Sequence, residues 1–187
     1  MNAERILATL DHHLNHKVEL VIYGRAALAL GFESPPDSVQ HSFDVDVIIP
    51  VSRVSILQAD ESFWDAQEAT NKELEAEGLY MTHLFQANQV FLRKDWEQHV
   101  VPVPRPPTRW LELFRPATLD LILTKMMRGD DAQDMEDLAF LIQHDHITRE
   151  QIETAFTQAM IPDLPELQEA FKIAQPRVRA LVGQATQ

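Results

Sequence analysis

The sequence predicts a mixed α/β (α+β) fold over residues 1–115, a mixed sheet with flanking helices, followed by a helical bundle over 116–187. Three observations carry that prediction. A β-branched run, Val18, Leu20, Val21 and Ile22, ends at Gly24, as a buried strand would. A second strand-like run spans Phe43 to Ile49. From Pro116 onward the apolar period changes from two to about 3.6, the helical repeat.

Residues 3–15 read as an amphipathic helix with Ile6, Leu10 and Leu14 on one stripe. His12, His13 and His16 near its end are expected on the polar side, since no further metal ligand is evident beside them. The strand–Gly–helix–strand unit follows from Val18 to Pro50, with Ala26 to Leu30 helical and a loop marked by Pro35, Pro36 and Asp37. Residues 51–77 favour a surface helix with a weak stripe of Phe63, Trp64 and Leu74, stopped by Gly78. Four short β-runs come next: LYMTHLF, QVFLR, HVVPV and RWLELF.

In the C-terminal part, Leu119, Ile122, Leu123 and Met126 share a helical face, and Gly129–Asp130 break it. The next helix turns Met135, Leu138, Leu141 and Ile142 inward. Thr148 with Gln151, and Asp163 with Glu166, have the spacing of capping boxes. Pro176 is expected in the first turn of a last helix that ends near Gly183.

Composition narrows the function classes. A chain of 187 residues without cysteine excludes disulfides, thiolate zinc sites and cysteine nucleophiles. The start lacks the layout of a signal peptide, and no apolar run is long enough to cross a bilayer, so a cytoplasmic location with no membrane contact is expected. A net charge of −13 argues against a broad nucleic-acid track, which needs phosphate neutralisation. Arg105, Arg109, Arg115, Lys125 and Arg128 still leave a local basic stretch suited to a phosphate group.

The chemistry centres on Asp44 and Asp46. Residues two apart on a strand project to one face, so the two carboxylates stand together. Like charges so placed are costly without a shared cation, and a hard divalent ion such as Mg²⁺ is the natural partner. Alone, a D-x-D in a strand is weak evidence; order and context strengthen it.

YGRAALALG, then FDVDVIIP, then LDLILTKMMRGDDAQDMEDLAFLI resembles the nucleotidyltransferase-like superfamily, and within it the AbiE-type toxin nucleotidyltransferases and their bacterial relatives. The resemblance covers roughly Val18 to Phe156. It implies that Asp44 and Asp46 are catalytic and hold Mg²⁺ with the phosphates of an NTP. It also implies nucleotide-binding roles for Gly24, Arg25, Lys125 and Arg128, with Asp134 and Asp137 supporting, either orienting the basic pair or positioning an acceptor hydroxyl. Physical logic agrees: metal ions bridge phosphate and nucleophile, and glycine before a helix start admits a triphosphate.

The sequence departs from the family pattern at several points. Arg25 stands where a Gly or Ser is usual, His41 and Ser42 replace an arginine and a threonine, and the gap from Gly24 to Asp44 is long. The family's third metal-binding acid usually comes from a later strand, and neither Asp95, after VFLRK, nor Glu112, in WLELF, is convincingly placed for it. The function expected is transfer of a nucleoside monophosphate from an NTP to a protein or RNA acceptor, with a toxin or phage-defence setting and a cognate antitoxin or homo-oligomer as partner. The alternative is a catalytically degenerate member acting as a binding or regulatory partner. A metal-dependent glycosyltransferase or phosphohydrolase comes third, since it leaves the Lys/Arg and Asp/Asp helices without a place.

Overall fold

The computed structural model describes residues 1–185. In chain order the elements are α1 (Asn2–His13), β1 (Val18–Tyr23), α2 (Gly24–Gly31), β2 (Asp44–Ile49), α3 (Val54–Gln58), α4 (Glu61–Leu74) and β3 (Tyr80–Gln86). Then come β4 (Leu92–Arg93), β5 (Val101–Pro102), β6 (Leu111–Arg115), α5 (Thr118–Lys125), α6 (Ala132–His144), α7 (Arg149–Gln158), β7 (Ala159–Met160) and α8 (Pro165–Ala185). They form two compact units: unit 1 is Met1–Gln86 with Val100–Arg115, and unit 2 is Ala87–His99 with Pro116–Gln187.

Unit 1 is built on a five-stranded mixed sheet in the order β3-β2-β1-β6-β5. β1 runs antiparallel to β2 and parallel to β6, and β2 runs parallel to β3. One face is the core. Val18, Leu20 and Ile22 of β1, Val45 and Val47 of β2, and Leu111 and Leu113 of β6 are all buried. Alternation gives Glu19, Val21 and Tyr23, with Asp44, Asp46 and Ile48, to the opposite face.

The sequence-predicted α1 is present, with Ile6, Leu7 and Leu10 fully buried. Asp11 fixes its far end to the start of β6: its carboxylate accepts from the backbone N–H groups of Arg109, Trp110 and Leu111 at 2.7–2.9 Å. The surface helix expected over 51–77 is corrected to α3 and α4, divided at Asp60, whose carboxylate caps α4 by accepting from the Phe63 N–H at 3.0 Å. Phe63, Ala66, Thr70 and Leu74 are buried, so α4 is a core helix whose stripe includes Ala and Thr. α4 also covers the outer edge of the sheet. Asn71 accepts from the Met81 N–H at 2.8 Å and donates to its carbonyl at 3.0 Å, as a neighbouring strand would.

In unit 2 the segment Ala87–His99 packs with the C-terminal helices. β4 pairs antiparallel with β7. Phe91 and Phe156 each set a ring edge-on to Phe171, at 5.6 Å between centroids. Asp120, fully buried on α5, accepts from the Arg93 backbone N–H at 2.9 Å and from its guanidinium at 3.1 and 2.7 Å. The QVFLR run is therefore reduced to a two-residue strand tied to helices.

The Thr148/Gln151 capping box is present. The Asp163/Glu166 box is not: α8 starts at Pro165, and Asp163 accepts instead from the Gln168 side chain at 3.0 Å. Pro176 lies inside α8 rather than opening a helix. The buried stripe Ala174, Val178 and Val182 runs through it, and that packing outweighs the one backbone bond that proline removes.

Candidate functional site

Gly24 sits where β1 ends and α2 begins, with φ +62°. That left-handed conformation favours glycine, and it lets the chain turn from strand to helix within one residue. Behind it Ala26 to Leu30 are buried, so α2 is anchored and its first turn is held in place.

Asp46 is the cross-strand partner of Tyr23, the residue before this turn. The turn is accordingly close to the acid: a Cβ on Gly24 would stand 3.6 Å from Asp46 Oδ2. Asp44 and Asp46 are both partly exposed while Val45 between them is buried, so the carboxylates share one face as the spacing predicts. Asp44 is oriented by Ser42, whose hydroxyl donates to Oδ1 at 2.9 Å.

Burial, then the charges of Asp46 and Asp44, push the Tyr23 phenol far above its ordinary pKa. It remains a neutral group beside the acids, with its ring edge-on to Phe85 at 5.8 Å. Tyr23 has no motif role in the sequence. The available signal was its position immediately before the glycine turn.

Arg25 follows Gly24 and donates to the Ser38 carbonyl at 3.2 Å, linking α2 to the polar loop. That loop is anchored by Val39, fully buried in a short turn at Asp37–His41. The arginine in the second glycine position thus has a local structural use.

The donor set suits magnesium in part. Two carboxylates on one face, beside the Gly24 turn, match the habit of Mg²⁺ to bind one or two acids and take waters and substrate phosphates for the rest. Among the described residues no group of three His, Cys, Asp or Glu is arranged to hold a metal. β3, which pairs with the D-x-D strand, carries no acid in YMTHLFQ. Glu112 pairs in register with Glu19, four residues before Tyr23 and so about 13 Å along the strand. It is engaged with Lys17 at 2.6 Å. Asp95 lies in unit 2 and accepts from His99 at 3.0 Å. Of the N-terminal histidines, His13 contacts Glu73 and His16 contacts Asp60, each at 2.8 Å.

The other four sequence-predicted residues lie in unit 2, where α5 and α6 bring them together. Lys125 Nζ donates to Asp134 at 3.0 Å and to Asp137 at 2.6 Å. Arg128 Nε donates to the second oxygen of Asp134 at 2.6 Å. Lys125, Asp134 and Asp137 are buried, while the Arg128 side chain is 55% exposed. Burial alone would raise the Asp134 pKa, but Arg128 and Lys125 outweigh it and hold the carboxyl below its ordinary value. Arg128 also reaches Asp131 at 3.1 Å, so two cations meet three acids inside the unit.

Comparison with known proteins adds the family. A family described as a nucleotidyltransferase of unknown function matches residues 3–171. The chain belongs to this family. No curated protein and no solved structure gives a significant match. The match supports the nucleotidyltransferase-like superfamily and does not extend to the AbiE-type branch. No helix among the described residues is long and apolar enough to cross a membrane.

Proposed function

We propose that this chain is a Mg²⁺-dependent nucleotidyltransferase that moves a nucleoside monophosphate from an NTP to a protein or RNA acceptor. The observation that carries the reading is the placement of Asp44 and Asp46 on one sheet face beside the Gly24 turn, in a member of a nucleotidyltransferase family. In this reading both carboxylates hold the metal. Bound Mg²⁺ supplies charge neutralisation and polarisation of the phosphoryl group. Gly24 and the first N–H groups of α2 face phosphate, which a helix start favours. Ser42 keeps Asp44 in its binding rotamer, and the neutral Tyr23 adds no competing charge.

Lys125 and Arg128 carry a nucleotide-binding role as a separate proposal, tested by the NTP affinity of Arg128→Ala. Asp134 and Asp137 support both cations. A toxin or phage-defence setting, with a cognate antitoxin or a second copy as partner, belongs to the same proposal.

The test is transfer of label from an α-phosphate-labelled NTP to protein or RNA acceptors. Mg²⁺-dependent labelling that Asp44→Ala and Asp46→Ala abolish supports the enzyme. Absent labelling, together with a stable complex between the chain and a partner encoded beside it, favours the degenerate reading. That second reading is motivated by Arg25 and by the lack of an acid in β3.

A further inference from the structure

The acid pair accounts for the phosphates of a nucleotide but leaves its base without a binding surface. The same sheet face offers one. β2 and β3 run parallel with Asp44 opposite Tyr80 and Val45 opposite Met81, and the register shifts only beyond Val45. The ladder continues one residue further, the Tyr80 N–H donating to the Phe43 carbonyl at 3.1 Å. Val45 and Met81 are fully buried on the core face, so alternation turns Asp44 and Tyr80 together to the other. Adjacent strands lie about 4.8 Å apart. The tyrosine side chain is longer than the aspartate, long enough to reach past the carboxylate.

Tyr80 is 39% exposed. Of the other rings on this face, Tyr23 and Phe85 are engaged with one another, and Phe114 stands opposite Val21 on β6. β3 is also the last strand of the sheet, so Tyr80 has a paired strand, β2, on one side only. Because Asn71 and Gln67 already hold the Met81 backbone groups, this edge is poorly suited to accept an added strand. What it offers is an aromatic face next to a metal-binding acid.

We propose that Tyr80 is the stacking platform for the base of the nucleotide whose phosphates are held through the cation on Asp44 and Asp46. The inference rests on the proposed function of that acid pair. Base–aromatic stacking tolerates any base and is strongest for the larger ring systems, so purine nucleotides bind more tightly than pyrimidine nucleotides.

The test is calorimetry on the full chain with Mg²⁺, titrating ATP and, separately, inorganic tripolyphosphate. Tyr80→Ala is expected to weaken ATP binding about 10-fold and to leave tripolyphosphate binding unchanged. Tyr80→Phe retains wild-type ATP affinity because it keeps the ring. Phe43→Ala, which removes an exposed aromatic that alternates away from the acid face, changes neither ligand. Should Tyr80→Ala fold poorly, Tyr80→Leu keeps the apolar volume without the flat ring and is expected to lose ATP affinity in the same way. Equal affinity of the wild type for ATP and tripolyphosphate, or full ATP affinity in Tyr80→Ala, overturns the platform. If Mg²⁺-dependent tripolyphosphate binding, lost in Asp46→Ala, persists in either case, the acid-pair reading stands without it. Absence of any Mg²⁺-dependent binding in the wild type defeats both.

Discussion

Gly31 leaves no room for a side chain. A Cβ there would stand 2.4 Å from Arg115 Cδ and 2.7 Å from its Nε. That arginine is buried, stacked over Phe32 at 4.0 Å and donating to the Gly31 carbonyl at 3.2 Å, so it cannot swing aside cheaply. Gly31→Ala is expected to destabilise by about 1–3 kcal/mol, read as a shifted denaturant midpoint with unchanged slope. Gly24 is constrained differently: a methyl fits beside Asp46, but φ +62° strains any other residue. Gly24→Ala should cost about 1 kcal/mol of stability and weaken Mg²⁺-NTP binding through a displaced turn. Unaltered NTP affinity in that variant would remove Gly24 from the phosphate site. At this scale the acid pair and its glycine turn were legible, because period-two alternation and a positive-φ turn are local properties. Tyr23 was not, since its meaning comes from a cross-strand partner more than twenty positions away.

Elements show where apolar patterning stops being informative. It found α5 and α6 but turned Met135 inward, whereas the buried residues at the start of α6 are Asp134 and Asp137. A buried acid reads as a polar residue until its partner is known, and Lys125 lies on another helix. The Ala87–His99 segment was obscured likewise: its tie to α5 is the Arg93–Asp120 pair, 27 positions apart. Asp120→Ala strands Arg93 and should cost about 3–5 kcal/mol, measurable by denaturant unfolding. For Asp134 the direction of the pH effect follows from its partners. Its folded-state pKa lies below the unfolded value of about 3.9. The stability it contributes is therefore complete above about pH 5 and lost as pH falls through the folded value. Wild type should lose stability below about pH 4 more steeply than Asp134→Asn, which begins less stable. Parallel pH profiles would show that this carboxyl does not carry the linkage.

For the whole molecule, charge and family set the expectations. With a net charge of −13, the protein should not be retained by duplex nucleic acid at physiological salt. Retention would point to a basic track that the residue balance does not suggest. The fold class was readable throughout, from the two strand runs around Gly24 and the later helical period. The split of α3 from α4 was less readable, and the passage of α8 through Pro176 reversed the local expectation, because core packing decides both. The central claim is that Asp44 and Asp46 form a metal-dependent nucleotide site. The most direct measurement is calorimetric titration of the wild type and the Asp44→Ala/Asp46→Ala double variant with ATP, with and without Mg²⁺. The account predicts binding that requires Mg²⁺ and vanishes in the double variant while its thermal unfolding stays cooperative. ATP binding that is identical in the two proteins, or absent from both, would contradict it.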